Sequence, residues 1–405
     1  MSYHRRRKRA AQLKAVSLRL EDNISNVKIL KLQWLPILIL GASTLCTACG
    51  RSDLNVHSSP NAYQNTSQTR VFQSTPALSP TIEPTVTLTP ITPTSIPDPD
   101  GLIAYASLST HNIHLISADG SLSKVISKID VDQSCYNPNW SADGAFLAFQ
   151  CWIAGNSNLY ITDPDEDSIQ QLIEEPTSEL QPIWSPNGSR IAFITLLDPL
   201  SWAIDIITLD TKEVRRVATG EWDEIGAIEI SYSWSPDGNR IIYSEFNDAQ
   251  LYLVDADGEN HENVPCEDLA DFTWNPVWSP NGQAIIYEET RGIRLLELTT
   301  CYDRSAIAEY NLRSPDWSPN GEIVSALGSD GIYLNDLNNG NIWVILEGVT
   351  ILQYTWAPDS QHIAFVADMD QDTMWSIYTV NIHSEETHKL IDFDPELFGG
   401  IDWQP

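Results

Sequence analysis

The sequence predicts an all-β fold: a closed ring of seven four-stranded antiparallel sheets, shut by the C-terminal strand and preceded by a disordered N-terminal stalk. Three observations carry this. A unit built on Trp-Ser-Pro-Asp/Asn-Gly recurs at Trp140, Trp184, Trp234, Trp278, Trp317 and Trp356, with a truncated copy at Trp403. The spacings between these tryptophans are 44, 50, 44, 39, 39 and 47 residues, the size of one supersecondary unit in a repeat array. The repeat region also starts in mid-unit, and the final GGIDWQP supplies the missing piece.

Each unit has one grammar. A short strand ends in Trp-Ser. Pro, Asp or Asn, and Gly then make a tight turn, proline pre-setting φ and glycine accepting φ > 0. A β-rich triplet follows: LAF at Leu147, IAF at Ile191, IIY at Ile241 and Ile285, IVS at Ile323 and IAF at Ile363. After a variable loop comes a third strand, such as NLYITD at Asn158 or LYLVDADG at Leu251, and then a short fourth, such as VRRVA at Val214. Four antiparallel strands joined by short turns make one propeller blade. The first blade reads IAY at Ile103, NIHLISADG at Asn112 and SKVIS at Ser123, and lacks an opening strand. The C-terminal strand provides it, which closes the circle and removes exposed sheet edges. Residues 101–405 thus form seven blades.

The first hundred residues divide in two. Residues 1–49 read as a signal and anchor region. HRRRKR at His4–Arg9 is basic, and the uncharged run Leu32–Ala48 has 17 residues, short for a transmembrane helix and right for a signal-peptide core. Small Thr47 and Ala48 precede Cys49, a pattern that resembles a bacterial lipoprotein signal and implies lipidation at Cys49. The competing reading is an uncleaved N-terminal anchor, and both export the rest of the chain. Residues 50–100 are rich in Thr, Pro and Ser, cannot bury enough apolar surface to fold, and read as an extended linker.

Charge and cysteines narrow the partners. After residue 50 the chain holds 14 Lys+Arg against 53 Asp+Glu. Such a surface repels phosphate backbones, which excludes nucleic acid as a partner, and favours cations and basic ligands. Cys135 and Cys151 are each eight residues from Asp143, the centre of a turn, so they face each other across one hairpin and predict a disulfide. Cys266 and Cys301 are the remaining pair, although Cys266 belongs to a loop on one face and Cys301 to a turn on the other.

The repeat text W-S-P-[DN]-G-x-x-[IL]-[AI]-[FY] resembles the TolB-type, WD-repeat-like β-propeller of bacterial exported proteins, over residues 101–405. The resemblance implies the fold and an envelope location, and leaves the activity open. TolB itself carries an α/β domain before its propeller, where this chain has the Thr/Pro segment, so the chain reads as TolB-like and not as TolB.

Catalytic text is scarce. There is no G-x-S-x-G, phosphate loop or HExxH. His111, His114, His261, His362, His383 and His388 share no repeat position. Some polysaccharide lyases that resemble this propeller class gather histidines around the channel, which keeps an exported carbohydrate-active lyase or hydrolase as the alternative reading. In DMDQD, Asp368, Asp370 and Asp372 alternate and can converge on Ca²⁺ if the loop bends, against a plain solvated loop. The repeat tryptophans serve the fold, so the informative aromatics are those outside the repeat. Trp152 and Trp202 fall in loops after second strands, and Trp222 and Trp274 in loops between blades. These loop types emerge on one face, where the rings beside Asp223 and Glu224 make a candidate ligand-binding face, the competing reading being small loop cores. The sequence thus reads as a monomeric, non-enzymatic propeller in the cell envelope that binds a protein, peptide or glycan.

Overall fold

In the computed structural model, the described residues are 101–405 apart from Leu108, Lys128, 130–132, 165–167, Pro199, 222–229, 246–249, 267–268, 270–272, 371–373 and 394–397. Cys49, Trp222, Asp223, Glu224 and Asp372 lie outside them. Among the described residues there is no helix. There are 28 strands in seven four-stranded antiparallel sheets.

Blade one is made of Leu102–Ser107, Asn112–Ser117 and Ser123–Val125, with Phe398–Trp403 as its innermost strand. Ile103 pairs with Trp403 and Tyr105 with Ile401, so the ring closes as the repeat predicts. Every other blade runs from the channel outward in chain order, as in Ser134–Trp140, Leu147–Ile153, Asn156–Asp163 and Ser168–Gln171 for blade two.

The repeated turn has one hydrogen-bond pattern. In blade four the Ser235 hydroxyl donates to Asp237 Oδ1 at 2.6 Å, and the Asn239 N–H donates to the same oxygen at 3.0 Å. The Arg240 N–H then donates to Ser235 Oγ at 2.9 Å. Blades two, three and five repeat this with Asp143, Asn187 and Asn281. The turn acid or amide satisfies its own backbone, which is why Ser, Asp and Asn recur there.

The core is distributed between blades. Seven apolar clusters fill the seven blade-to-blade interfaces, and each contains one repeat tryptophan at 4–6% exposure. Four indole N–H groups donate into the preceding blade: Trp184 to Asn139 O at 3.1 Å, Trp234 to Ile183 O at 3.1 Å, Trp317 to Val277 O at 3.3 Å and Trp356 to Ser325 Oγ at 2.9 Å. The tryptophan therefore fixes both the packing and the spacing of neighbouring sheets.

Both disulfides are formed. Cys135 and Cys151 are direct strand partners, fully buried, with Cα atoms 4.0 Å apart. Cys266 and Cys301 are bonded with Cα atoms 5.3 Å apart and join blade four to blade five. The separation by face expected for this second pair does not hold. The outermost strand of blade four, His261–Asn263, has only three residues, so Cys266 has climbed little from the turn at Gly258 when it meets Cys301. The bonds are those of a protein from an oxidising, extracytoplasmic compartment.

Candidate functional site: an acid-walled central channel

The seven innermost strands enclose a channel of about 440 Å³, to which every blade contributes. Its wall is made by a local motif. Asn137, Gln181, Asn275 and Ser314 adopt left-handed φ of 46–53°, each is followed by proline, and each lies at a register shift in its strand. Such bulges re-aim side chains, and proline is tolerated because the innermost strand is an edge with no ladder partner on the channel side. The displaced N–H groups are met by the preceding blade. Gln181 donates to Gln150 Oε1 at 2.5 Å, Asn275 to Ser231 Oγ at 3.0 Å, and Ser314 to Glu288 Oε1 at 2.6 Å.

One carboxylate, Asp316, lines the channel, and two more, Asp402 and Glu288, are hydrogen-bonded to lining residues. Asp402 Oδ2 accepts the backbone N–H of Trp140 at 2.7 Å and the Asn139 amide at 3.2 Å. Burial, with the negative charge of Asp316 adding to it, pushes its carboxyl up to about 7. Asp316 lines the channel and accepts the Trp317 N–H at 2.8 Å, and burial pushes it up to about 6. Burial also raises Glu288, whose Oε1 takes the Asn275 amide as well. The Tyr354 hydroxyl donates to Ser314 O at 2.8 Å. No histidine, lysine, arginine or cysteine is among the channel-lining residues. Amides, hydroxyls and a carboxyl raised by burial suit a cationic group.

The sequence-predicted residues are placed elsewhere. Trp202 is on the strand Ser201–Thr208 and is 1% exposed, so it cannot present a ring to a ligand. It pairs with Gly220 and meets Tyr243 edge-on, and a Cβ at Gly220 would lie 2.4 Å from the indole. Trp152 is half-buried against the same cluster, and Trp274 opens the strand Trp274–Trp278 opposite Glu288. Trp202 is part of the core and Trp152 packs part-buried against it, and both stand on strands that extend further than the repeat pattern suggests. Asp370 is bound to Lys389 at 2.6 Å, and Lys389 also holds Asp392 at 2.5 Å, so an ammonium already occupies the acidic loop. Among the described residues no group of three or more His, Cys, Asp or Glu is arranged to hold a metal ion. Three of the histidines are held by neighbouring side chains: His362 between Asp359 at 2.6 Å and Asn381 at 3.2 Å, His261 with the Tyr243 hydroxyl at 2.7 Å, and His114 stacked on Tyr105. The sequence reading missed the channel wall. Its signal was present as X-Pro-X-Trp, in NPNW, QPIW, NPVW and SPDW.

A family model described as the TolB beta propeller domain matches residues 102–323, more than half of the chain. A protein TolB homolog of Chlorobaculum tepidum is 28% identical over 122 residues, 29% of this chain and 26% of that protein. The Tol-Pal system protein TolB of a Polaromonas species is 31% identical over 64 residues, 15% of each chain. The chain thus aligns with about a quarter or less of these relatives' length. Among solved structures, TolB from Acinetobacter baumannii superposes with a TM-score of 0.50 at 15% identity, covering 77% of this chain and 69% of that one. A functionally unknown protein from Desulfotomaculum acetoxidans gives 0.56 at 13% identity, covering 75% and 98%. A puromycin hydrolase gives 0.54 at 11% identity, covering 75% and 55%. At these identities the structures share the fold alone. With the repeat, the ring closure and the family match together, the chain belongs to the TolB beta-propeller domain family.

Proposed function

We propose that the chain is an extracytoplasmic binding protein, held at the membrane through Cys49 and the linker 50–100, whose propeller takes a protein, peptide or glycan at the channel and its mouth. The observation that carries this is the composition of the channel wall, to which all seven blades contribute: the Asp316 carboxylate, amides and hydroxyls, with Asp402 and Glu288 hydrogen-bonded to lining residues and no histidine, lysine, arginine or cysteine among the described lining residues. Such a wall suits a ligand bearing an ammonium or guanidinium group. The negative field of the domain draws cations toward it.

Capture from envelope extract tests the binding half. The wild-type chain should retain a partner that Gln353→Arg, which places a cation in the channel, does not retain. Equal capture by the two proteins contradicts channel binding. Labelling with a fatty-acid probe tests the tether: Cys49→Ser should lose the label and accumulate as precursor, and equal labelling of the variant refutes lipidation at Cys49.

A further inference from the structure

In blades two, three and four the residue six positions after the repeat tryptophan packs on the repeat tryptophan of the next blade. Phe146 stacks on Trp184 with centroids 6.3 Å apart. In blades three and four the position is arginine, and the guanidiniums of Arg190 and Arg240 lie 5.3 and 5.4 Å over the rings of Trp234 and Trp278. The equivalent residues elsewhere are Leu102, Ala284, Ile323 and His362. Packing alone therefore does not require arginine.

Both guanidiniums open on one recess of about 500 Å³ on the face where the Trp-Ser-Pro turns emerge, lined also by Asn239, Asp255, Ala256 and Asp257. Residues 101–405 contain 12 Lys and Arg against 49 Asp and Glu, so two arginines in one recess is a local exception. Neither is in a salt bridge among the described residues. Arg190 makes one side-chain hydrogen bond, to Gly238 O at 2.5 Å, and Arg240 makes none. The acids around them accept hydrogen bonds from other groups, and Arg240 acts on Asp237 only as a nearby charge that adds to the lowering of its carboxyl. Asp237 Oδ1 takes Ser235 and Asn239, Asp257 Oδ1 takes the Glu259 N–H at 3.0 Å, and Asp255 Oδ2 takes the Asn260 amide.

A guanidinium placed over an indole is restrained by the cation–π contact, while N–H groups turned away from the ring stay able to donate. The ordering cost of binding is then largely met before a ligand arrives. The planar fork matches a carboxylate in bidentate fashion. Asp255 and Asp257 oppose a multiply charged anion, and their remaining lone pairs accept hydroxyl or amide donors next to a singly charged one. The geometry points to a carboxylate-binding site at Arg190 and Arg240, taking a monocarboxylate flanked by hydrogen-bond donors. It shares no residue with the channel and does not depend on the channel reading.

Calorimetric titration of the full chain tests it, with glucuronate for an acidic sugar, N-acetylglycine for a peptide C-terminus, and sulfate as the divalent control. At least one carboxylate should bind saturably, and which one binds identifies the source. Arg240→Met keeps an apolar stem over Trp278 and should weaken that binding at least tenfold with an unchanged melting temperature. Arg240→Lys should lie between, and Arg304→Met, on blade five, should bind as wild type. Absence of saturable binding by either carboxylate, undiminished binding by Arg240→Met, or tighter binding of sulfate overturns the site.

Discussion

Asp402, on the strand that closes the ring, accepts the backbone N–H of Trp140 in the next blade at 2.7 Å. The same step is made by Asn139 toward the Trp184 N–H at 2.9 Å and by Ser233 toward the Trp278 N–H at 3.3 Å. At these three positions the residue before a repeat tryptophan is an inter-blade acceptor, and at Asp402 it is also an acid, whereas Asp316 accepts the N–H of its own neighbour Trp317.

Stability should fall as pH rises through the neutral range. Asp402 and Glu179 are pushed up to about 7 and Asp316 to about 6, chiefly by burial. Unfolded, these carboxyls ionise near pH 4, while in the fold they stay protonated to about pH 6–7. Each costs up to about 1.4 kcal/mol per pH unit across that window. The turn acids Asp119, Asp143 and Asp237 act in the opposite sense, their carboxyls lowered first by serine hydroxyls, and their contribution is lost only below about pH 4. The melting temperature should be higher at pH 5 than at pH 8. Asp402→Asn, which keeps an acceptor for Trp140, should flatten that slope, and an identical slope in the variant would remove Asp402 as its source.

Trp202 should behave as core. Trp202→Ala removes a fully buried indole and should cost about 3–5 kcal/mol. Gly220→Ala places a methyl against the same ring and should cost about 1–3 kcal/mol. Denaturant titration measures both, and a neutral Gly220→Ala would contradict the close approach.

The two disulfides should differ in accessibility. Cys135–Cys151 is fully buried, whereas Cys266 and Cys301 are half-buried at the boundary of blades four and five. Under native conditions a mild thiol reductant followed by alkylation should label Cys266 and Cys301 first. By loop length, their removal as paired alanines should cost roughly 4 kcal/mol, against roughly 3 kcal/mol for Cys135 and Cys151. Peptide mapping that finds Cys135 and Cys151 labelled first would contradict the burial assigned here.

The fold was legible because its signal repeats: a turn of Trp-Ser-Pro-Asp-Gly in register is hard to satisfy except as stacked blades, and Ile103 pairing with Trp403 follows from the mid-unit start. The Cys135–Cys151 pair was legible from turn symmetry alone. The site was not. Trp152 and Trp202 were placed in loops because periodicity ends where strands lose alternation, yet both strands continue into the core. Asp316 in the channel lining, and Asp402 bonded to the lining residue Asn139, lie within the repeat, one position before tryptophan, so attention to departures from the repeat passed over them. Arg190 and Arg240 were hidden likewise, since their contacts are with the next blade's tryptophan.

The most direct test of the central claim is the pH dependence of partner capture by the wild-type chain at fixed ionic strength. With burial pushing Asp316 in the lining up to about 6, and Asp402, bonded to the lining residue Asn139, up to about 7, the channel and its immediate surround gain negative charge between pH 5 and pH 8. A ligand that enters through a cationic group should be retained at pH 8 and lost at pH 5, and Asp316→Asn with Asp402→Asn should remove that dependence. Capture that is unchanged, or stronger, at pH 5 would contradict the acid-walled channel as the binding site.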